Sequence, residues 1–339
     1  MLVPHHAHPV APGRVVVLGA EGFISRHLQN WCTREEVSCR PVGSGEIDLR
    51  ESGSAGRLAK LLTKNDAVVM TSSLTPEKGR DYQTLMSNLR MAETVCQALE
   101  VATCAHFVYL SSDAVYGSNK IPLNEDSTLE PSDLYALSHI GREMMLGPVL
   151  ARKKIPSCIL RLTSIYGAGD THNAYGPNRF VRSALRDGQI KLYGRGEEHR
   201  SHVFIEDAIR LIGLTLQHRS SGVLNIASRE AMSFAYIADT VTRLVEHPIT
   251  ISYLPRTIPI IRKPYKLTPV FRFLYKLTRP VGPIVHRTFV NSAIFTAYPE
   301  FRFTPFETGV RSFIATERAA CARSTVSTAG PTVAYAPRG

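Results

Sequence analysis

Three side chains in this 339-residue sequence have the types and spacing of a proton-transfer site. Ser112 follows the apolar run 107–110, and Tyr135 and His139 stand four residues apart where a helix-like segment begins. Residues at positions i and i+4 share a helix face, so we expect Tyr135 and His139 to point the same way. A tyrosine exchanges protons with a hydroxyl group when its pKa falls from about 10 toward neutral pH, while a serine positions the substrate oxygen. The spacing predicts acid–base catalysis at a hydroxyl group by these three residues.

A glycine-rich loop lies between the first strand-like run, 15–18, and the first helix-like segment. Gly19 permits a tight turn, and Gly22 permits close approach of the backbone to a pyrophosphate. The helix N-terminus that follows offers free N–H groups to the anion. Ser25 is small enough to replace the third glycine of the dinucleotide fingerprint, although a simple turn is the alternative for the glycine pair alone. The predicted cofactor loop comprises Gly19, Gly22, Phe23, Ile24 and Ser25.

The end of the second predicted strand bears on the choice between NAD and NADP. NAD-binding proteins usually carry an acidic residue there, which accepts hydrogen bonds from the ribose hydroxyls. Residues 38–43 contain no carboxylate but include Arg40, which could pair with a 2′-phosphate. The sequence therefore predicts NAD or NADP as the cofactor, with a slight preference for NADP, and a solvated Arg40 is the alternative.

Strand-like and helix-like segments alternate through the first half of the chain. Short apolar runs are typical of buried parallel strands, and longer segments show apolar residues at helical spacing. This alternation predicts an α/β fold of the Rossmann type, a doubly wound parallel sheet with helices on both faces. The predicted strands are 15–18, 37–42, 67–70, 107–110, 157–162, 190–193 and 223–226, and the predicted helices are 23–33, 82–99, 135–146, 178–186, 206–216 and 233–245.

The same patterns predict two domains. Residues 14–175 are expected to bind the dinucleotide, with 203–228 returning to that domain. Less regular segments, 176–202 and 229–318, are expected to form a smaller C-terminal substrate-binding domain. The predicted ends are a flexible N-terminus at 1–13 and, because 319–339 is small, polar and without an apolar period, a disordered tail there.

Composition narrows the class of protein. A hydrophobic content of 44% and a charged content of 20% are typical of a soluble globular chain, and no apolar run approaches the ~18–20 residues of a membrane span. With no signal-peptide pattern at the N-terminus, these features predict a cytoplasmic protein. The six cysteines lack CxxC spacing and are expected to be reduced thiols, without a metal site.

The formal net charge of +11 is concentrated in one region. Between Glu246 and Glu300 there are eight Arg and Lys residues and no acidic residue. Within 262–287, aromatic and aliphatic residues alternate with these cations, which fits either a cap facing substrate phosphates or a peripheral membrane contact. No nucleic-acid-binding motif accompanies the charge, so nucleic acid is not expected as a partner.

The order of these motifs resembles the extended short-chain dehydrogenase/reductase family of NAD(P)-dependent nucleotide-sugar epimerases, dehydratases and reductases. The resemblance rests on the glycine loop, Asp48–Leu49, the segment 111–117 and the Tyr135 helix, and it covers about residues 14–315. Further similar segments are 161–167, 203–207, 223–227, 297–299 and 307–309.

The resemblance implies a nucleotide-sugar substrate and roles for further residues. It also implies a homodimer built from two helices of each subunit, here 82–99 and the Tyr135 helix. Asn88 would in addition tether the strand that bears Ser112. Implied cofactor contacts are Arg40, Asp48, Leu49, Thr71, Ser72, Asn88 and Leu162, and implied substrate contacts are Asp113, Ser164, Asn178 and Arg200.

Two departures from the family pattern bear on the reaction. The family has a lysine at the position of His139, which bonds the nicotinamide ribose and supplies a permanent charge that acidifies the tyrosine. Histidine has an unperturbed pKa near ~6.5 and is mostly uncharged at neutral pH. Two hypotheses therefore stand: an enzyme with weaker, pH-dependent catalysis, and a dinucleotide-binding sensor or assembly protein without turnover. The acidic pair of the family's dehydratases is here Asp113 and Ala114, which favours epimerisation or keto-reduction over dehydration.

Overall fold

A computed structural model describes residues 2–117, 121–171, 173, 176–255 and 284–327. The strands are β1 (Arg14–Leu18), β2 (Cys39–Val42), β3 (Asp66–Met70), β4 (His106–Ser112), β5 (Ser157–Leu162), β6 (Ser164–Tyr166), β7 (Gln189–Tyr193), β8 (His199–Phe204), β9 (Gly222–Ile226), β10 (Ala231–Ser233) and β11 (Thr250–Leu254). The helices are α1 (Phe23–Arg34), α2 (Ser54–Leu61), α3 (Tyr82–Val101), α4 (Leu134–Arg152), α5 (Pro177–Asp187), α6 (Ile205–Gln217), α7 (Phe234–Leu244), α8 (Ser292–Ala297) and α9 (Phe306–Ser327).

The central element is a six-stranded parallel sheet in the order β2-β1-β3-β4-β5-β9. Its register pairs Leu18 with Met70, Met70 with Tyr109, and Ser112 with Leu162. The carboxyl ends of β1, β3, β4 and β5 therefore meet at one edge, where ligands bind in open α/β sheets. The predicted Rossmann-type fold is confirmed.

Both faces of this sheet are buried, which explains the continuous apolar runs in β1, β3 and β4. Side chains alternate between faces along β1: Val15 and Val17 belong to one apolar cluster, and Val16 and Leu18 to the other. The first cluster includes residues of α1 and α6, and the second includes residues of α2, α3 and α4. Helix α4 continues through Pro148 to Arg152, beyond its predicted end at 146.

The chain divides into two compact units, and the first contains the parallel sheet. This unit comprises 1–166, 198–233 and 284–304, so its boundaries differ from the predicted 175, 203 and 228. The segment 284–304 was expected in the substrate-binding domain but belongs to this unit. Its Tyr298 hydroxyl lies 2.8 Å from Ser220 Oγ, and Ile294 of α8 is part of the apolar core.

The second unit comprises 167–197 together with the described parts of 234–283 and 305–339. Strand β7 pairs with β11 in parallel, and α5 packs against α7 and α9. Arg182 of α5 forms an ion pair of 3.3 Å with Glu317 of α9, and the rings of Phe180 and Phe234 are in edge contact.

Both termini differ from the sequence-based expectation. Val3 N donates to Ser221 O at 2.8 Å and Val10 N donates to Gln217 O at 3.0 Å, while Leu2 is buried in the core. The N-terminal segment is thus held by backbone hydrogen bonds that its composition does not signal. At the other end α9 continues to Ser327, because 319–327 begins with strong helix formers, and the rest of the predicted tail lies outside the described residues.

No helix in the described ranges combines the length and apolarity that a bilayer crossing requires. Residues 262–283 of the predicted membrane-contact segment 262–287 lie outside the described residues.

Candidate active site

The loop between β1 and α1 is shaped by a glycine and two hydroxyl groups. Gly19 has a φ of +101°, and a Cβ at this position would lie 2.8 Å from atoms of Thr71 and Ser72. Ser25 Oγ donates to Gly19 O at 2.7 Å and lies 2.7 Å from Thr71 Oγ1, which donates to Leu18 O. Only glycine fits at position 19, and the hydroxyl groups of Ser25 and Thr71 hold the loop in place.

Helix α1 begins directly after this loop. Its N-cap, Gly22, has extended backbone and provides no side-chain hydrogen bond to the first turn. Phe23 and Ile24 occupy that turn and are half-buried. A helix N-terminus without a side-chain cap retains N–H donors and a positive dipole end, which is the arrangement that binds a pyrophosphate.

The three predicted catalytic residues come together at the carboxyl edge of the sheet. Ser112 ends β4, and Tyr135 and His139 lie on one face of α4, whose N-cap Asp133 accepts a hydrogen bond from Ala136 N at 2.8 Å. The rings of Tyr135 and His139 meet edge to face, with centroids 4.7 Å apart. The Ser112 hydroxyl lowers the pKa of Tyr135, which brings this side chain into the surroundings of the phenol.

The phenol of Tyr135 is protonated at neutral pH in this environment. Burial raises its pKa to about 12, and the carboxylates of Asp113 and Glu77 act in the same direction. The hydrogen bond with Ser112 and the positive charge of Arg142 oppose this rise. Acid–base catalysis by Tyr135 near neutral pH therefore requires positive charge close to its oxygen.

His139 is buried and neutral. Burial, with a smaller contribution from the charge of Arg142, lowers its pKa to about 3. Its Nδ1 lies 2.7 Å from the hydroxyl of Tyr109, and its Nε2 has no partner among the described residues. At this pKa the imidazole is uncharged near neutral pH, so titration of His139 does not support the expected pH-dependent catalysis.

Arg142 is a site residue that the sequence reasoning missed. It lies on α4 three residues after His139 and is 0% exposed. Its guanidinium carbon is 5.1 Å from the ring centroid of Tyr109, and Nη2 donates to Ser72 O at 2.5 Å. The signal was present in the sequence, since an arginine seven residues after Tyr135 lies on the same helix face.

Ser72 and Asn88 lie close to this cluster with different surroundings. The hydroxyl oxygens of Ser72 and Ser73 are buried without a partner among the described residues. Asn88 Oδ1 accepts from Leu74 N at 2.8 Å, and its Nδ2 donates to Leu74 O and, at 3.4 Å, to Ser138 Oγ. Asn88 thus tethers the segment after β3 to α4, and the expectation that it tethers the strand of Ser112 is wrong.

Residues near the end of β2 are engaged with their neighbours. Arg40 forms an ion pair with Glu46, and its Nη1 donates to Pro41 O at 3.0 Å. Hydrogen bonds from Arg50 hold the pKa of the Asp48 carboxyl below its usual value, and Leu49 is buried in the core. Leu162 lies opposite Ser112 in the register of β4 and β5, at the edge where a ligand would bind.

Asp113 is neutralised by an arginine from far along the chain. Arg287 Nε donates to its Oδ2 at 2.7 Å, and the same guanidinium donates to the backbone oxygens of Asp113 and Tyr116. This pairing gives Asp113 a structural duty that its position in the sequence does not reveal.

The other predicted substrate contacts are distributed over both units. Ser164 lies in β6 opposite His202 of β8, and Arg200 in β8 forms an ion pair of 2.6 Å with Glu198. Asn178 belongs to the second unit, where its Oδ1 accepts from Gly167 N at 3.0 Å and its Nδ2 donates to Asp170 at 2.7 Å. Asn178 therefore shapes the turn that follows β6.

A buried polar network holds α4 against the sheet. Glu143 accepts hydrogen bonds from Ser111 Oγ at 2.6 Å and from Arg161 Nη2 at 2.7 Å. Arg161 also donates to the Tyr116 hydroxyl, which donates to Asn225 Oδ1 at 2.7 Å. The network joins α4 to β4, β5 and β9 and so fixes Tyr135 relative to Ser112.

The sequence model of the NAD dependent epimerase/dehydratase family matches residues 15–227. This chain belongs to that family. Its membership agrees with the extended short-chain dehydrogenase/reductase resemblance of its motifs.

The curated relatives include a dehydratase and an epimerase, the two kinds of enzyme in the family's name. The dTDP-D-glucose 4,6-dehydratase of Dictyostelium discoideum is 22% identical over 253 residues, 63% of this chain and 58% of the relative. The ADP-L-glycero-D-manno-heptose-6-epimerase of Alkalilimnicola ehrlichii is 29% identical over 159 residues, 44% of this chain and 49% of the relative. The matches span about half of the length of these relatives.

Solved structures share the fold over most of both chains. MoeE5 in complex with UDP-glucose and NAD gives a TM-score of 0.70 at 21% identity, covering 91% of this chain and 100% of that chain. RMD from Pseudomonas aeruginosa complexed with NADPH gives a TM-score of 0.73 at 18% identity, covering 91% and 99%. At these identities the likeness concerns the fold.

The epimerase/dehydratase family uses a nicotinamide dinucleotide, and the residues of this chain fit such a group. Five buried polar atoms have no partner among the described residues here: Ser72 Oγ, Ser73 Oγ, His139 Nε2, and Arg142 Nε and Nη1. Each buried polar group left without a hydrogen bond destabilises a protein by about 1–3 kcal/mol. A polar ligand beside Gly19 and the α1 N-terminus would satisfy them.

Proposed function

We propose that this chain catalyses NAD(P)-dependent epimerisation or keto-reduction of a nucleotide-activated sugar, with Tyr135 as the acid/base. The observation that carries the proposal is the ring contact of Tyr135 with His139, beside the carboxyl end of β4 that carries Ser112 and at the sheet edge that also bears the glycine loop. Family membership supports the cofactor class, and the names of the curated relatives support the substrate class.

In this proposal the cofactor, when bound, accepts a hydride from a sugar carbon or returns one to it. Ser112 donates a hydrogen bond to the sugar oxygen and fixes its distance from Tyr135. As the phenolate, Tyr135 takes the hydroxyl proton while the carbonyl forms, and as the phenol it returns this proton while the alcohol forms. The sugar oxygen therefore never carries an uncompensated negative charge in this buried site.

His139 is proposed to hold the cofactor ribose through Nε2. The raised pKa of Tyr109 keeps its hydroxyl protonated, so this hydroxyl donates to Nδ1 and leaves the proton of the imidazole on Nε2. Nε2–H is then a buried donor without a partner among the described residues. It supplies one of the hydrogen bonds that the family's lysine makes, but no charge.

We propose NAD rather than NADP as the preferred cofactor. The sequence-based preference for NADP rested on Arg40, whose guanidinium is already paired with Glu46. A Cβ at Gly43, just beyond β2, would lie 3.2 Å from Glu21 Oε1, so a carboxylate of the glycine loop reaches the end of β2. That carboxylate can accept hydrogen bonds from ribose hydroxyls and would repel a 2′-phosphate.

A nucleotide sugar is the proposed substrate, and Arg200 is the candidate for its phosphates that the family resemblance implies. To bind them, Arg200 would have to exchange its ion pair with Glu198. Dehydration through an acidic pair is not proposed, because Asp113 is engaged by Arg287 and is followed by Ala114.

A homodimer through α3 and α4 is proposed as the assembly. These helices pack against each other, and they expose Tyr82, Met86, Leu137 and Met144, whose exposed fractions are 67%, 53%, 41% and 71%. Large apolar side chains grouped on two adjacent helices are typical of a protein–protein contact. A peripheral membrane contact through 262–287 and a cytoplasmic location stay predictions.

Calorimetric titration with NAD(H) and NADP(H) tests the cofactor site. A dissociation constant in the micromolar range, about −8 kcal/mol, is expected for the preferred dinucleotide. Failure of all four forms to bind would overturn the redox proposal. Binding without turnover of any nucleotide sugar would favour the alternative, a dinucleotide-binding sensor or assembly protein, which the uncharged His139 also favours.

A further inference from the structure

Arg142 is a fully buried cation with no carboxylate at ion-pair distance among the described residues. Its single hydrogen bond joins Nη2 to a backbone oxygen, and Nε and Nη1 have no partner in that part of the chain. Arg161, another buried arginine of the same unit, is instead bound by both oxygens of Glu143. A buried charge without a counter-charge destabilises a fold, so stability alone does not explain why Arg142 is there.

The position of Arg142 on α4 directs its charge toward the catalytic residues. Side chains on a helix lean toward its N-terminus, so Arg142 reaches back over the turn that carries His139. Its guanidinium lies over the ring of Tyr109, and the Tyr109 hydroxyl is 2.7 Å from His139 Nδ1. The His139 ring in turn contacts Tyr135. A continuous set of contacts therefore links the cation to the tyrosine.

In the part of the chain that the structure describes, the other groups beside Tyr135 carry either no charge or negative charge. His139 from the same helix is neutral, and Ser112 from β4 contributes only a hydrogen bond. Asp113 after β4 and Glu77 after β3 both raise the pKa of Tyr135. Arg142 is the cation that lowers it.

We propose that Arg142 is a positioning residue that supplies the permanent positive charge which the family's lysine would supply from position 139. This inference deepens the proposed function and rests on it. The two roles of the lysine are then divided: His139 Nε2–H binds the ribose, and Arg142 stabilises the Tyr135 phenolate. Arginine suits the second role because its guanidinium stays charged at every working pH, even when buried.

The division of roles predicts which residue controls the ionisation of Tyr135. Because His139 is neutral over the whole working range, changes at its ring should alter cofactor affinity more than the ionisation of the tyrosine. Removal of the Arg142 guanidinium should alter the ionisation of Tyr135 more than the cofactor affinity. A lysine at position 139, one turn closer to Tyr135, should also be able to supply the positive charge.

The test is a titration of the tyrosine itself in protein free of cofactor and substrate. With 3,5-difluorotyrosine incorporated at position 135, whose phenol ionises in an accessible pH range, fluorine NMR reports the midpoint directly. R142M should raise the midpoint by about one pH unit or more, whereas R142K should stay close to the parent protein. Arg90→Met, which removes an exposed arginine from α3, should leave the midpoint unchanged. An unchanged midpoint in folded R142M would overturn the proposal.

A second variant moves the charge instead of deleting it. H139K combined with R142M should return the midpoint to within a few tenths of a pH unit of the parent and recover the turnover that R142M loses. If R142M alone does not fold, the midpoint of the double variant is compared with that of H139K, which retains Arg142. Loss of the guanidinium should then raise the midpoint of the double variant above that of H139K. A folded double variant whose midpoint stays high would overturn the inference.

The role of Arg142 and the dinucleotide site can be tested separately. The NMR titration needs no cofactor and reports only whether Arg142 controls Tyr135. Calorimetry with NAD(H) on the parent protein reports only whether the dinucleotide site exists. A shifted midpoint with no dinucleotide binding would therefore overturn the proposed function alone.

Discussion

The hydroxyl group of Tyr109 lies 2.7 Å from Nδ1 of His139, in a part of the structure where both side chains are buried. Because burial raises the pKa of Tyr109 strongly and lowers that of His139 to about 3, neither group is charged near neutral pH. With the proposed donation from the Tyr109 hydroxyl to Nδ1, the imidazole proton lies on Nε2. A strand residue, Tyr109, thus decides what the helix residue offers to a ligand.

Replacement of Tyr109 by Phe removes the hydrogen bond between this hydroxyl and His139 Nδ1. We expect the dissociation constant for NAD(H) to rise about five- to tenfold, the equivalent of about 1 kcal/mol, because the imidazole proton is no longer held on Nε2. Calorimetry gives the constant directly. Tyr193→Phe, at an exposed position of β7, is the matched control and should bind like the parent. Equal affinity in both variants would argue against a role for this hydrogen bond.

Replacement of Tyr135 by Phe should abolish proton transfer while keeping the pocket. The expected fall in kcat is about 10²–10⁴-fold, with cofactor affinity changed little. Steady-state assays on nucleotide sugars and calorimetry separate the two effects. Turnover that survives unaltered would remove Tyr135 from the mechanism.

Three buried histidines should make the fold less stable in mild acid. Burial lowers the pKa of His106 and His202 to about 4 and that of His139 to about 3, whereas the unfolded chain binds protons on histidine near pH ~6.5. Between these values the unfolded state holds more protons, so the free energy of unfolding falls as the pH falls. Each histidine contributes about 1.4 kcal/mol per pH unit in that window.

Denaturant unfolding at pH 7 and at pH 5 measures this slope. His106→Gln retains a donor for Ser220 O, which His106 Nε2 now serves at 2.8 Å, and its slope should be shallower than that of the parent. Equal stability of the parent at both pH values would contradict the neutral state of these histidines.

Glu21 should control the choice between the two dinucleotides. Glu21→Ser removes the carboxylate that reaches Gly43 and is expected to improve NADP binding about tenfold relative to NAD, a change of about 1.4 kcal/mol. The ratio of the two dissociation constants is the measurement. Glu35→Ser, an exposed change at the far end of α1, should preserve the parent ratio. A preference for NADP in the parent protein would restore Arg40 as the deciding residue.

The exposed apolar side chains of α3 and α4 should hold a dimer together. Met144→Asp places a charge on the proposed contact and should shift the mass measured by light scattering from dimer to monomer. Tyr253→Asp, an exposed change on β11 of the second unit, should not. A parent protein that is monomeric at micromolar concentration would refute the proposed assembly.

Much of the fold follows from local sequence patterns. Continuous apolar runs predicted β1, β3 and β4 because strands buried on both faces favour apolar residues at successive positions. Short or polar elements were missed, including α2 at Ser54–Leu61 and β8 at His199–Phe204, since brief segments carry little periodic signal. The predicted end of α4 at 146 came too early, because burial of Val149 and Leu150 in the core outweighs the effect of Pro148.

The sequence by itself determined the Rossmann-type fold, the glycine loop, and the grouping of Tyr135 with His139, because each depends on residues close together in the chain. Only the tertiary structure decided the partners of these residues. Arg287 reaches Asp113 across 174 positions, and Asn88 and Ser138 meet across 50. Likewise, the charge of Arg142 acquires meaning only once β4 places Tyr109 beside it. Contacts of this kind follow from the packing of whole elements, in which the burial of apolar surface sets which polar groups meet.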